Sequence, residues 1–140
     1  MILAATAARQ LDDAPVRCAI EEAERRDVPI RVMHVVPAPD AEDSASLQQW
    51  RDAVASVREH AEVLRRQLDA DGVAGEVEIV PAATHGPADV LLQRATELGA
   101  VVIVIGVRQR SRVGKAVFGS TAQDVLLRAD CSVLAVPLTS

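Results

Sequence analysis

Apolar positions along this 140-residue chain change their period from one stretch to the next. Residues 1–6 read as a short strand, and residues 30–36 as a second, stopped by Pro37 and Pro39. Between them Val16, Ala19, Ile20 and Ala23 recur at the three- and four-residue steps of a helix, opened by Asp12, Asp13 and Pro15. Leu47, Trp50, Val54, Val57, Ala61, Leu64 and Leu68 keep that spacing across a long helix expected from about Ser44 to Asp71, with Gly72 as its stop. A weaker strand follows over residues 76–81. A helix is then expected from Pro87 to Leu98, with Ala88, Leu91, Leu92, Ala95 and Leu98 on its inner face. A β-branched run over residues 101–105, a helix from Ser120 to about Arg128 and a strand over residues 132–138 complete the series.

Strands and helices thus alternate from end to end, which predicts an α/β fold with right-handed crossovers and a parallel sheet. The last two strands are apolar nearly throughout, as expected where helices cover both faces of the sheet. The expected architecture is one domain over residues 1–140: three layers, with an open five-stranded parallel sheet between helices.

Composition narrows the function classes. A net charge of −5 argues against a broad nucleic-acid surface, because phosphate contacts need a basic face. Arg108, Arg110, Arg112 and Lys115 nevertheless crowd into one loop, where they supply local attraction for a phosphate chain. Cys18 and Cys131 are too few and too far apart for a disulfide framework, and His34, His60 and His85 lack metal-ligand spacing, so no metal is expected. The apolar opening segment lacks a basic start and reads as a strand rather than a signal peptide, and a cytoplasmic setting is expected.

Several catalytic motifs fail. Gly114-Lys115 is followed by Ala116 instead of a hydroxyl residue, and Gln109 stands at the earlier glycine position, so a P-loop is excluded. No GxGxxG follows the first strand, and neither a Gly-x-Ser-x-Gly elbow nor a Ser/His/Asp set stands out. The chain is not expected to be an enzyme. One feature does hold together: a strand, a basic loop beginning at Gly106, and a helix start at Gly119-Ser120-Thr121. Unpaired N–H groups and the macrodipole at such a helix start favour an anion. Ser120 with Gln123 three positions later predicts a capping box. In open α/β sheets the ligand crevice lies at the carboxyl ends of strands where chain order reverses, which puts this loop beside the ends of strands one and four.

These residues resemble the universal stress protein family, and the resemblance covers nearly the whole chain. It rests on His34-Val35-Val36 closing the second strand, Gly86-Pro87-Ala88 opening the third helix, Gly106, Gly119-Ser120, and the ending Cys131-Ser132-Val133-Leu134-Ala135-Val136. The resemblance implies strand order 3-2-1-4-5, a stress-response role and an adenine nucleotide (ATP, ADP or AMP) as ligand. The family's nucleotide motif is Gly, two residues, Gly, nine residues, Gly-Ser/Thr. Here it maps onto Gly106, Gln109 and Gly119-Ser120, with its spacing intact and glutamine for the second glycine. Carried over, the site comprises Ala5 and Ala7 at the first strand's end, Val35, Ile105 and Gly106 around adenine and ribose, Gln109 in the loop, and Gly119, Ser120 and Thr121 at the phosphates. Ala7 stands where the family usually carries an aspartate, and Val101 where it often carries another. The resemblance also implies a homodimer through the last strand. The alternative function is a dimeric interaction module of the same fold that binds no nucleotide.

Overall fold

The computed structural model describes residues 1–6, 13–37, 43–82, 86–108 and 119–138. The chain runs β1 (Ile2–Thr6), α1 (Asp13–Arg26), β2 (Ile30–Pro37), α2 (Ser44–Ala70), β3 (Gly75–Ala82), α3 (Pro87–Leu98), β4 (Val102–Arg108), α4 (Ser120–Arg128) and β5 (Ser132–Leu138). All neighbouring strands pair in parallel, in the order β3-β2-β1-β4-β5. The expected α/β fold and strand order are those observed.

Strand alternation divides the core into two layers. Ile2, Ala4, Ile30, Val32, Val77, Val102 and Val104 face α1 and α2, where Val16, Ala19, Ala23, Ala61, Leu64 and Leu68 meet them. Leu3, Ala5, Met33, Val35, Ile103, Ile105 and Val107 face α3 and α4, against Ala88, Leu91, Ala95, Ala122 and Val125. Burying one Val, Leu or Ile side chain stabilises by roughly 1.5–3 kcal/mol, so these two layers dominate the fold's energetics.

The long helix is anchored unevenly. Its 27 residues span about 40 Å, whereas the eight residues of β3 span about 26 Å. Val57, Ala61, Leu64 and Leu68 are buried, but Leu47, Trp50 and Val54 on the same stripe are only half-buried. The amino-terminal part of the helix overhangs the sheet. Asp43 caps it, accepting from the Ala45 N–H at 3.0 Å and the Ser46 hydroxyl at 2.8 Å. Gly72, with φ of 71°, takes the left-handed conformation that closes the other end.

Several strand boundaries moved from expectation: β2 includes Pro37, which was expected to stop it, and β3 runs on to Ala82. β4 begins at Val102 and runs on to Arg108, because β5 pairs with it through Leu138. Val101 lies before it, exposed, and donates its N–H to the Met1 carbonyl at 2.9 Å. β3 begins at Gly75, one residue before the apolar alternation does.

Candidate functional site

The fold brings the carboxyl ends of β1 and β4 side by side, with α4 starting above them. β1 lies between β2 and β4, so the direction of chain progression reverses there, and the crevice rule for open α/β sheets applies to this end. Ala5 pairs in register with Met33 on one side and Ile105 on the other. Thr6 pairs with His34, so Val35 follows the last β1–β2 pair. Ala5, Val35 and Ile105 are buried, with side chains in the α3/α4 layer beneath α4. Gly119 and Ser120 are exposed and Thr121 is half-buried. Ala5, Val35, Ile105, Gly106, Gly119, Ser120 and Thr121 therefore share one end of the sheet. Ala7, Gln109, Arg110, Arg112 and Lys115 lie outside the described residues, and of Arg108 only the strand position is described.

The helix start differs from the sequence expectation. Gly119, not Ser120, is the N-cap residue of α4, with φ of −60° and ψ of 158°, and as a glycine it brings no side chain to cap the turn. Ser120 is the first helical residue. A capping box needs its hydroxyl residue one place earlier, in the extended conformation, so Ser120 and Gln123 do not form one. Gln123 instead donates its N–H to the Gly119 carbonyl at 3.0 Å, an ordinary helical bond. A Cβ added at Gly119 would meet nothing within 4 Å among the described residues.

Gly106 behaves differently. A Cβ built there would lie 2.8 Å from Cδ1 and 2.9 Å from Cδ2 of Leu138. The space beside this glycine is already filled by the last residue of β5. The start of α4 is thus exposed, whereas the space beside Gly106 is occupied by a leucine.

Two features were not legible as site chemistry. His34, facing the α1/α2 layer, is 1% exposed, and among the described residues its Nδ1 has no hydrogen-bond partner. Burial pushes its pKa below the ordinary value, which keeps the ring neutral. The second is an ion network at the β3 edge, on the α3 side. Glu78 accepts from Arg94 and, at 3.2 Å, from Arg31. Arg31 also pairs with Glu76 at 2.8 Å, and Arg94 with Glu97 at 3.0 Å. Burial alone would raise the Glu78 pKa, but Arg94 and Arg31 outweigh it and hold the carboxyl below its usual range. Charged residues at alternate positions 76 and 78 of an otherwise apolar strand were the available signal. Among the described residues, no group of His, Cys, Asp and Glu side chains could hold a metal ion, and no helix is long and apolar enough to cross a membrane.

An open parallel sheet between two helical layers, with a helix start over its switch point, defines the class of α/β crevice-binding domains. Within that class, the model of the universal stress protein family matches residues 1–137. The chain belongs to the universal stress protein family. It is similar to a universal stress protein of Mycolicibacterium smegmatis, 34% identical over 136 residues that cover 97% of this chain and 96% of that protein. Among solved structures it is similar to a universal stress protein of Archaeoglobus fulgidus, 30% identical with a TM-score of 0.74 and 96% of each chain covered. Another structure of the universal stress protein from that organism, in complex with dAMP, is 26% identical with a TM-score of 0.63. That match covers 96% of this chain and 95% of the other.

Proposed function

We propose that this chain is a stress-response protein that binds an adenine nucleotide across the carboxyl ends of β1 and β4. The observation that carries the reading is the start of α4 at Gly119-Ser120-Thr121, exposed at Gly119 and Ser120 and placed over the switch point of the sheet. Its N–H groups and the two hydroxyls would hold the phosphates, and the positive end of the helix would add roughly 0.3–1 kcal/mol of attraction. The backbone at Val35 and Ile105 would frame the adenine, with Gly106 beside the ribose. The complex of an Archaeoglobus fulgidus relative with dAMP supports the ligand class.

Ala7 offers no carboxylate to the ribose hydroxyls. One charge-assisted hydrogen bond is worth about 1.5–3 kcal/mol, so affinity should fall roughly ten- to a hundredfold below that of a site with the aspartate. Calorimetric titration of ATP, ADP and AMP tests the reading. Saturable one-to-one binding is expected, and it should tighten in the Ala7→Asp, Gln109→Gly double variant. Absence of binding in both proteins would overturn it.

A second reading is favoured by the contact between Leu138 and Gly106: a dimeric interaction module that keeps the fold and binds no nucleotide. In either reading the homodimer would form through β5, an edge strand whose Ser132, Ala135 and Pro137 are exposed, beside the exposed Leu126 and Leu127 of α4.

A further inference from the structure

The overhang of α2 leaves a cavity of about 570 Å³ between that helix and the β3 edge, on the face opposite α3 and α4. Val36 lines it, whereas Val35 turns to the other layer, so the cavity and the nucleotide crevice lie on opposite sides of β2. Its size falls within the range of small-molecule pockets.

The lining is ordered along the helix. Trp50, Val54 and Arg58 follow one another at four-residue steps and so stack on one face, their backbone positions spread over roughly 12 Å of the helix axis. Opposite them, Ile79, Pro81 and Val36 complete an apolar wall. Charge is confined to one end and is unbalanced. Glu62 is paired with Arg65, whose other nitrogen donates to the Val77 carbonyl at 2.7 Å. Arg58 makes no ion pair or hydrogen bond among the described residues. The cavity therefore presents an apolar slot ending in one uncompensated cation, in a protein whose net charge is −5. A single uncompensated cation balances a single negative charge.

We infer that this cavity binds an amphipathic monocarboxylate, its apolar body between Trp50 and the Ile79–Pro81 wall and its carboxylate on Arg58. The inference does not depend on nucleotide binding at the other crevice. Trp50 is the sole tryptophan and the chain has no tyrosine, so its emission reports the site without interference.

The test uses decanoate below its micelle concentration, with decanol as the uncharged counterpart. Decanoate should shift Trp50 emission saturably at one-to-one stoichiometry. It should bind about fivefold more tightly than decanol, the upper end for an ion pair that solvent reaches. Arg58→Gln, an exposed position that should leave folding intact, should erase that preference while leaving decanol unchanged. Val54→Arg should block both ligands, with circular dichroism confirming the fold. An absence of saturable change, or a preference for decanoate that survives Arg58→Gln, would overturn the inference. So would an emission shift that follows protein concentration instead of decanoate, which would make a second copy of the chain the occupant.

Discussion

Leu138 packs its side chain into the space that any residue larger than glycine would need at position 106, with Cγ, Cδ1 and Cδ2 all within 3.0 Å of an added Cβ. The β4–β5 register explains the meeting: Gly106 pairs with Val136, and Leu138 lies two residues further along the same face. Glycine at this position has a structural reason that does not require a ligand. Gly106→Ala should therefore destabilise by about 1–2 kcal/mol, the lower part of the overpacking range, because a leucine near the chain's end can shift. Combining it with Leu138→Ala should recover at least about 0.5 kcal/mol relative to the sum of the single changes. Urea denaturation of the four proteins measures this, and strict additivity would show that the contact carries no energy. Leu138→Ala alone should strengthen ATP binding if the leucine restricts the ribose side of the crevice.

Gly75 is the more demanding glycine. An added Cβ would collide with Ile30 Cγ2 and lie 2.9 Å from the Ile30 carbonyl oxygen. That carbonyl belongs to the parallel ladder and cannot move without breaking the β2–β3 register. Gly75→Ala should cost about 2–3 kcal/mol, more than Gly106→Ala, because backbone rather than a side-chain end must give way. A thermal or urea midpoint that ranks the two variants in the reverse order would contradict this packing.

His34 and Glu78 should shape the pH dependence of stability in separate windows. Burial lowers the His34 pKa from 6.5, so as pH falls the unfolded chain takes up this proton first. Its contribution is intact above about pH 6.5 and erodes below that, down towards the lowered folded value. For Glu78, burial works to raise the pKa and Arg94 and Arg31 prevail in lowering it from 4.5. Its stabilisation is present above about pH 4.5 and is lost as pH falls through the lowered value. The urea midpoint should therefore decline in two stages. His34→Leu should flatten the first, which opens as pH falls below about 6.5, and Glu78→Gln the second. A first stage that persists in His34→Leu would mean that another group controls it.

Dimerisation through β5 is best tested at residues that the core does not use. Val133 packs into the α3/α4 layer, and Leu134 and Val136 into the other, so a charge at any of these would disturb the fold as well as an interface. Ala135 is exposed, and Leu127 is 76% exposed. Ala135→Lys and Leu127→Glu should each convert a dimer to monomer in light scattering while leaving circular dichroism unchanged, because an edge strand with an inserted charge resists pairing. A wild-type protein that is monomeric at micromolar concentration, or a dimer indifferent to both changes, would remove β5 as the contact.

Much of this architecture could be read directly along the chain. The three- and four-residue recurrence from Val57 to Leu68, the β-branched run ending at Ile105 and the turn at Gly72 each record a local requirement: a buried helical stripe, a strand covered on both faces, a left-handed helix end. Gly119-Ser120-Thr121 likewise marked a helix start. What tertiary structure decided depends on partners distant in sequence. Gly106 is glycine beside Leu138, and Gly75 beside Ile30, only because parallel strands bring them into register. The stripe on α2 is continuous in sequence, yet its Trp50 end borders a cavity, because the helix is longer than the strand it covers. Which residue caps α4 turned on a single backbone conformation at Gly119, since Gly119-Ser120 and Ser120-Thr121 are both acceptable cap-and-start pairs by composition. Periodicity is a local property that folding leaves in place. Register, overhang and side-chain complementarity arise only when separate elements meet, and those are what set the two crevices apart.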